Sequence, residues 1–188
     1  MKKTLIISLR YTLITTLLLG IIYPLVVTAF AHLALPNKAD GQLISRNGQI
    51  IGSKIIGQNF SSEKYFHSRP SAAGNGYDAT SSGGSNLAAS SQKLVSRIQA
   101  DVAKYQQDGN SQPVPIDLVT ASGSGLDPDI SPAAALFQVK RVSQARQLSE
   151  DSVRALVMAH IQPRQFGVLG EPRVNVLVLN LALDQLQK

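Results

Sequence analysis

The feature that most constrains this chain is an uncharged segment near its N-terminus. Residues 11–31 are 21 positions without a Lys, Arg, Asp, Glu or His. As an α-helix they would be about 31 Å long, which matches the hydrocarbon core of a bilayer, about 30 Å thick. Eleven of them are Leu, Ile, Val or Phe, and these contribute roughly −3 to −7 kcal/mol toward insertion. We therefore predict a transmembrane helix over residues 11–33.

The charges that flank this segment predict its direction. Lys2, Lys3 and Arg10 precede it with no acidic residue among them, and basic flanks stay cytoplasmic. Residues 1–10 are then cytoplasmic, 34–42 form a linker, and 43–188 form one domain in the periplasm. The predicted location is a bacterial inner membrane crossed once.

A cleaved signal peptide is the alternative for the same segment. Ala29-Phe30-Ala31 has the small-x-small form of a cleavage site. The apolar stretch is, however, longer than the usual 7–15 residues of a signal peptide. Cleavage after Ala31 would release a soluble binding protein or hydrolase.

Small or tight side chains recur every four residues along the predicted helix, at Thr12, Thr16, Gly20, Pro24 and Thr28. Such a face allows a second membrane helix to approach closely. Alternatively, Thr and Gly are simply common in membrane helices and Pro24 only kinks this one. We favour a helix-packing face.

The charge balance argues against nucleic-acid binding. The formal net charge is +6, but without Lys2, Lys3 and Arg10 the balance is 15 basic against 12 acidic residues. The remaining basic residues form no run or stripe, which a nucleic-acid surface requires. Cysteine is absent, so disulfides and cysteine-based metal or nucleophile sites are excluded.

The pattern after the linker predicts a mixed α/β (α+β) domain. Residues 49–57 are β-branched between glycines and predict a hairpin or two short strands. Residues 67–86, rich in Ser, Gly, Asn and Pro, predict a long loop. Helical spacing then runs from Ser85 or Asn86 to about Gln107, where Asp108-Gly109-Asn110 ends it.

The C-terminal third carries clear helix start signals. Ser131-Pro132 predicts an N-cap and a helix to about Leu148, and Ser149 predicts the cap of a helix over 150–161. An extended stretch is predicted at 116–120. Residues 174–179 favour a strand and 181–187 a helix, although apolar side chains lie on too many sides for a firm assignment.

The search for metal and catalytic chemistry yields little. His32, His67 and His160 have no metal-ligand spacing and are expected to be structural or solvated. Asp127 and Asp129 could bind a divalent cation, but capping before the helix is favoured. We find no acid/base pair and no nucleophile elbow, and the chain is not expected to be an enzyme by itself.

Two glycine-rich segments, residues 81–86 and 121–126, could hold an anion such as a nucleotide phosphate. Both precede a predicted helix, but neither has the P-loop lysine. A flexible turn with a cap is the favoured interpretation. The weak candidates are Ser82, Gly83, Gly84, Ser85, Ser122, Gly123 and Gly125.

Several phrases in series resemble one known family. They are Tyr65-Phe66-His67-Ser68-Arg69-Pro70-Ser71, Tyr77-Asp78-Ala79, Ser82-Gly83-Gly84-Ser85-Asn86-Leu87, Ala121-Ser122-Gly123-Ser124-Gly125-Leu126-Asp127-Pro128, Ile130-Ser131-Pro132, Gly170-Glu171-Pro172-Arg173-Val174-Asn175-Val176 and Asn180-Leu181-Ala182-Leu183-Asp184. In this order behind one span, they resemble KdpC, the C subunits of bacterial Kdp potassium-transporting ATPases.

The resemblance implies an accessory role in high-affinity, ATP-driven potassium uptake. The expected partners are a channel-like A subunit and a P-type ATPase B subunit, besides the lipid bilayer. The family's C subunit is needed for assembly and is described as a catalytic chaperone that raises the ATP affinity of the B subunit. ATP and potassium would act through the complex, with no cofactor bound by this chain alone.

The predicted topology qualifies that nucleotide role. It places both glycine-rich segments in the periplasm, where ATP is absent. An effect on ATP affinity would therefore have to be transmitted through the membrane as a coupling between states. We expect a periplasmic docking role, covering the ion entrance of the channel-like subunit.

Overall fold

The structure is a computed structural model that describes residues 1–106 and 112–186. The chain divides into two compact units, Met1–Ile51 and a second that begins at Gly52. Among the described residues, one helix, Lys2–Ala34, is long and apolar enough to cross a membrane. Its 33 residues include the whole predicted span.

The long helix contains three parts. α1 covers Lys2–Thr15, a π-helical segment covers Thr16–Ile22, and α2 covers Tyr23–Ala34. The wider turn lies directly before Pro24, which cannot donate the α-helical hydrogen bond to the carbonyl of Gly20. The N–H of Tyr23 instead donates to the carbonyl of Leu18, five residues earlier. The π turn therefore accommodates the proline within a continuous helix.

A short helix and a hairpin follow the long apolar helix. α3 covers Pro36–Ala39, within the predicted linker. β1, Leu43–Arg46, pairs with β2, Gln49–Ser53. The prediction that residues 49–57 contain both strands of a hairpin is wrong. They contain only β2, which pairs with β1 on its N-terminal side. The signal was Asn47-Gly48, whose φ angles of 53° and 78° suit a two-residue hairpin turn.

The second unit has a small antiparallel sheet, which confirms a mixed α/β domain. Its strands are β3 (Asp129–Ile130), β4 (Ile161–Gln162) and β5 (Arg173–Asn175). β5 is central, in the order β3-β5-β4. Val174 stands opposite both Ile130 and Ile161.

The first helix of this unit, α4, covers Gln92–Gln106. The predicted start at Ser85 or Asn86 is wrong, because Asn86 has a φ of +50° and a left-handed residue cannot begin an α-helix. The predicted stop at Asp108-Gly109-Asn110 lies outside the described residues. The predicted loop over 67–86 is confirmed, with one 3₁₀ turn at Ala79–Ser81.

The predicted extended stretch at 116–120 is wrong, because Ile116–Leu118 forms a 3₁₀ turn. The turn begins after Pro115 and closes with the N–H of Val119 donating to the carbonyl of Ile116, 3.1 Å away. It places Leu118, 1% exposed, in the core. Pro115 biases only the residue before it toward an extended conformation, so burial of Leu118 can favour a turn in the residues that follow.

Both predicted N-caps in the C-terminal third are confirmed. Ser131 Oγ accepts from the N–H of Ala134 at 3.2 Å, and Ser149 Oγ accepts from the N–H of Ser152 at 3.1 Å. The first helix is interrupted at Gln138, giving α5 (Pro132–Phe137) and α6 (Val139–Arg146). α7 covers Glu150–Ala159.

The last helix, α8, covers Val176–Gln185. A strand over 174–179 was therefore predicted wrongly beyond Asn175. That residue ends β5 and caps α8, since its Oδ1 accepts from the N–H of Val178 at 3.1 Å. Apolar residues lie on several sides because α8 is mostly buried. The predicted end at Gln187 lies outside the described residues.

The core lies where the sheet and helices α5 to α8 meet, with the loop residue Phe66 among them. These buried side chains form it: Phe66, Leu118, Ile130, Ala134, Ala135, Val139, Val142, Val153, Val157, Val174, Val176, Leu179 and Leu183.

Candidate functional site

The two glycine-rich segments lie against each other. The N–H of Gly83 donates to the carbonyl of Ser124 at 2.9 Å, and Ser82 Oγ donates to the same oxygen at 3.0 Å. A Cβ on Gly84 would lie 3.0 Å from the carbonyl oxygen of Gly123. The structure therefore joins all the candidate anion-binding positions in one patch.

The glycines of this patch differ in how much they are needed. Gly125 is buried and has a φ of +69°. A Cβ there would lie 2.6 Å from the nitrogen of Ala73 and 2.7 Å from the carbonyl oxygen of Gly83. A Cβ on Gly123 would meet nothing within 4 Å. Gly125 is thus required for the close approach of three chain segments, and Gly123 is not.

Several backbone donors of the patch are engaged within the chain. Besides Gly83, the N–H of Gly125 donates to the carbonyl of Ser122 at 3.3 Å. The N–H of Leu126 donates to Ser124 Oγ at 3.1 Å. The following helices begin only at Gln92 and Pro132. The two segments are therefore turns held by hydrogen bonds within the chain. Nucleotide binding by these residues stays a prediction.

A cleft of about 430 Å³ opens beside Gly84 and Ser85. Lys93 and Arg97, from the first turns of α4, line it together with Ser71. Arg97 also contacts Asp101 at 2.9 Å. Lys93 therefore supplies the main positive charge at this cleft, because Arg97 is paired with Asp101 and the Ser71 hydroxyl donates to the carbonyl of Gly125 at 2.6 Å.

Arg69 fixes the end of the second glycine-rich segment. Its Nη1 lies 3.1 Å from Asp127 Oδ2, and its Nε donates to the carbonyl of Thr120 at 3.3 Å. The Tyr77 hydroxyl donates to the carbonyl of Arg69. Burial raises the pKa of Tyr77 to about 12, so this hydroxyl keeps its proton at neutral pH. The arrangement braces the loop.

The Asp127-Pro128-Asp129 motif is used within the fold. Asp127 Oδ1 accepts from the N–H of Asp129 at 3.0 Å, while Asp129 contacts Arg173 Nε and Asn175 Nδ2, each at 3.0 Å. Burial raises the pKa of Asp129, against the hydrogen bond from Asn175 and the charge of Arg173. The helix cap is Ser131, so the predicted helix-capping role of the aspartates is wrong. Among the described residues, no cluster of His, Asp or Glu could hold a metal.

His67 is buried in a structural position. Its Nε2 donates to the carbonyl of Ser62 at 3.1 Å, and its main-chain N–H donates to Gln138 Oε1 at 2.7 Å. Burial, followed by the charge of Arg141, lowers the pKa of His67. A neutral imidazole therefore holds this turn.

The sequence did not reveal a polar clamp, the amides of Gln138 and Asn180, which holds the segment around Phe66. Gln138 pairs with both the N–H and the carbonyl of His67, at 2.7 and 3.2 Å. Asn180 pairs with both groups of Phe66, at 2.9 and 3.0 Å. Both amides are 1% exposed. The only local signal is that each amide stands next to an apolar core residue in the sequence, Gln138 beside Val139 and Asn180 beside Leu179.

Two arginines extend the clamp. Arg141 Nη2 donates to the carbonyl of Tyr65 at 2.9 Å, and Arg146 Nε donates to the carbonyl of Lys64 at 2.7 Å. Arg146 also lies 2.8 Å from Asp184 and 4.7 Å above the Tyr65 ring. The backbone of residues 64–67 is therefore held by hydrogen bonds from side chains, and it is not paired with a β-strand.

The π-helical segment affects the face of Thr12, Thr16, Gly20, Pro24 and Thr28. In an α-helix a four-residue repeat drifts by about 40° per step. A π turn rotates each residue less, so it offsets that drift between Thr16 and Gly20. Among the described residues, a Cβ on Gly20 would meet only the side chain of Thr16, at 3.8 Å. The five residues of this face are therefore more nearly aligned along the helix axis than they would be in a regular α-helix. The role of the face in helix packing stays a prediction.

A hydrogen-bonded turn with apolar side chains, residues 165–169, lies between β4 and β5 in the chain. The N–H groups of Gln165 and Leu169 each donate to the carbonyl of the other residue, at 2.9 Å. Phe166 is 84% exposed, Val168 72% and Leu169 56%. Phe166 and Gly167 have φ angles of 54° and 76°, and the left-handed region costs a non-glycine residue about 1–2 kcal/mol.

These features define a class: a chain whose described residues contain one apolar helix able to span a membrane, followed by a mixed α/β domain held by a buried polar clamp. The family model of KdpC, described as K+-transporting ATPase, c chain, matches residues 5–185. The chain therefore belongs to the KdpC family and is the accessory KdpC subunit of a potassium-transporting ATPase.

Curated relatives agree over nearly the whole length. The potassium-transporting ATPase KdpC subunit of Koribacter versatilis is 56% identical over 187 residues, covering 100% of this chain and 97% of the relative. That of Acidobacterium capsulatum is 56% identical over 179 residues, covering 95% and 96%. That of Gemmatimonas aurantiaca is 55% identical over 181 residues, covering 95% and 91%.

Proposed function

We propose that this chain is a non-catalytic subunit of its pump, anchored in the inner membrane with its domain in the periplasm. One observation carries the proposal: the family match spans both the apolar helix and the domain. The basic residues Lys2, Lys3 and Arg10 favour a cytoplasmic N-terminus. The domain would then dock at the ion entrance of the channel-like A subunit.

ATP is absent from the periplasm, so the chain would raise the ATP affinity of the B subunit only indirectly. It would do so by stabilising one conformation of the assembled pump, which is a coupling free energy between separate sites. The engaged donors of Gly83, Gly125 and Leu126 agree with this, since they are not available to a phosphate.

Topology can be tested with single cysteines, because the natural chain has none. Ser96→Cys places a thiol on an exposed position of α4, and Thr4→Cys places one before the apolar segment. We expect a membrane-impermeant maleimide to label Ser96→Cys in intact spheroplasts and Thr4→Cys only after lysis. The reverse pattern would contradict the proposed orientation.

The indirect action on ATP can be tested at the cationic cleft. Lys93→Ala removes one cation without touching the core, since Lys93 is exposed. We expect the assembled pump to keep its KM for ATP. A raised KM with unchanged assembly, together with crosslinking of a photoreactive ATP analogue to this chain, would show that ATP is bound by this cleft, and the indirect mechanism would be abandoned.

The membrane face can be tested with Gly20→Leu, which adds bulk to the stripe. Gly20→Ala adds one methyl group that the chain itself accommodates. Ala29→Leu adds similar bulk about 100° around the helix from Thr28. We expect only Gly20→Leu to reduce co-purification with the other membrane subunits. Equal recovery of all three variants would refute a packing role.

A further inference from the structure

The segment between the long apolar helix and the first hairpin folds back on the end of that helix. The N–H of Leu35 donates to the carbonyl of Ala31 at 2.8 Å, and His32 Nδ1 lies 3.4 Å from Asp40 Oδ1. Both units of this contact belong to the compact unit Met1–Ile51. Three residues of chain span at most about 11 Å, so β1, which begins at Leu43, starts close to the end of the helix.

One face of this hairpin is apolar and exposed. Side chains alternate between the two faces of a strand, and the strands are joined by a two-residue turn, so Leu43, Ser45 and Ile50 share one face. Leu43 is 52% exposed and Ile50 64%. Ile44 and Ile51, on the other face, are half-buried. The hairpin therefore presents its more exposed apolar side chains on one side, and the three residues of that face carry no charge.

The attachment of the hairpin to the helix determines what this face meets. The uncharged run of the helix ends at residue 31, so the fold-back holds the hairpin at the level where the hydrocarbon core gives way to the headgroups. Lys38 and Arg46 are exposed in the same segment. An apolar face flanked by basic residues is typical of segments that lie in the membrane interface.

From this geometry we propose that the face formed by Leu43, Ser45 and Ile50 lies in the interface of the same bilayer that the apolar helix spans, with Lys38 and Arg46 beside the lipid phosphates. The inference rests on the proposed function, which places that helix in the membrane. A two-stranded hairpin without further packing is only marginally stable in water, and burial of this face in lipid stabilises it. The hairpin would then fix the depth and rotation of the helix.

A single fluorescent label tests this contact, because the natural chain has no cysteine. Ile50→Cys carries nitrobenzoxadiazole on the proposed lipid face, and Gln49→Cys, the matched control, carries it one residue earlier on the opposite face. The whole pump is reconstituted in vesicles of phosphatidylethanolamine and phosphatidylglycerol that contain a lipid with a nitroxide near the headgroup end of its acyl chain. Because interfacial segments bury their apolar face about 5–10 Å into this region, we expect about three-fold more quenching at position 50 than at position 49.

Stronger quenching for Ile50→Cys, repeated for Leu43→Cys on the neighbouring strand, supports the inference. Equal quenching at positions 49 and 50 overturns it. A label at position 50 with blue-shifted emission but no quenching by the nitroxide lipid is covered by protein, which also overturns it. Extraction of the wild-type chain from membranes by alkaline carbonate would overturn the membrane anchor and this inference together, whereas an anchored chain without quenching at position 50 overturns this inference alone.

Discussion

Replacement of Asn180 by Leu tests whether the polar clamp stabilises the domain. The two side chains are similar in size, but Leu leaves the buried N–H and carbonyl of Phe66 without their partners at 2.9 and 3.0 Å. Each unsatisfied buried group costs about 1–3 kcal/mol, and the added apolar burial returns about 1 kcal/mol. The net loss of unfolding free energy should be about 3 kcal/mol.

The assay is urea unfolding of the full chain in detergent, monitored by the near-ultraviolet circular dichroism of its tyrosines. With an m value of about 2 kcal/mol/M, the midpoint should fall by about 1.5 M. Gln99→Leu on the exposed side of α4 is the matched control and should change stability by about 0.5 kcal/mol or less. A loss below about 1 kcal/mol for Asn180→Leu would refute the clamp.

Asn180→Asp adds a pH dependence of known sign. A buried carboxylate facing the carbonyl of Phe66 should have its pKa raised above the ordinary value of about 3.9. The protonated acid can donate to that carbonyl, so the variant should be most stable, relative to the wild type, below the ordinary pKa of about 3.9. It should lose stability as the pH rises through the folded-state pKa. Stability that increases with pH would contradict the assigned hydrogen bonds.

Two further predictions concern the loop patch. Gly125→Ala should lower the unfolding free energy by about 2 kcal/mol or more, because its Cβ would overlap Ala73 and Gly83. Gly123→Ala, whose Cβ meets nothing, should change it by about 0.5 kcal/mol or less, and equal effects would contradict the packing of the two segments. The raised pKa of Tyr77, about 12, means that its contribution is complete below pH 10 and is lost as the pH rises toward 12. Tyr77→Phe should remove that part of the pH dependence, measured as unfolding free energy between pH 9 and 12, and an unchanged profile would count against it.

Much of the fold was accessible from short-range patterns. The long apolar helix follows from an uninterrupted apolar run, and the caps Ser131 and Ser149 follow from residues three positions apart. Family membership was equally accessible, because the phrases that carry it are contiguous. The errors arose where local tendencies compete. Asn86 looked like a helix start, but its left-handed backbone delays α4 to Gln92.

The candidate site was accessible only in part. Both glycine-rich segments stood out in composition, but their contact joins Gly83 to Ser124, and no local pattern predicts a hydrogen bond across 41 positions. The same holds for the clamp, in which Asn180 and Phe66 are 114 positions apart. A buried amide and an exposed one look alike in a sequence, because burial depends on what the rest of the chain packs against them.

The apolar run that predicts the membrane helix was determined by the sequence alone, because insertion depends on the sum of side-chain transfer energies over a continuous segment. The π turn at Thr16–Ile22 also has a local cause, the missing N–H of Pro24. Tertiary structure decided the rest. It turned residues 176–179 from an expected strand into a buried helix, and it left the apolar side chains of residues 165–169 exposed. Those outcomes depend on which surfaces of the folded domain are covered.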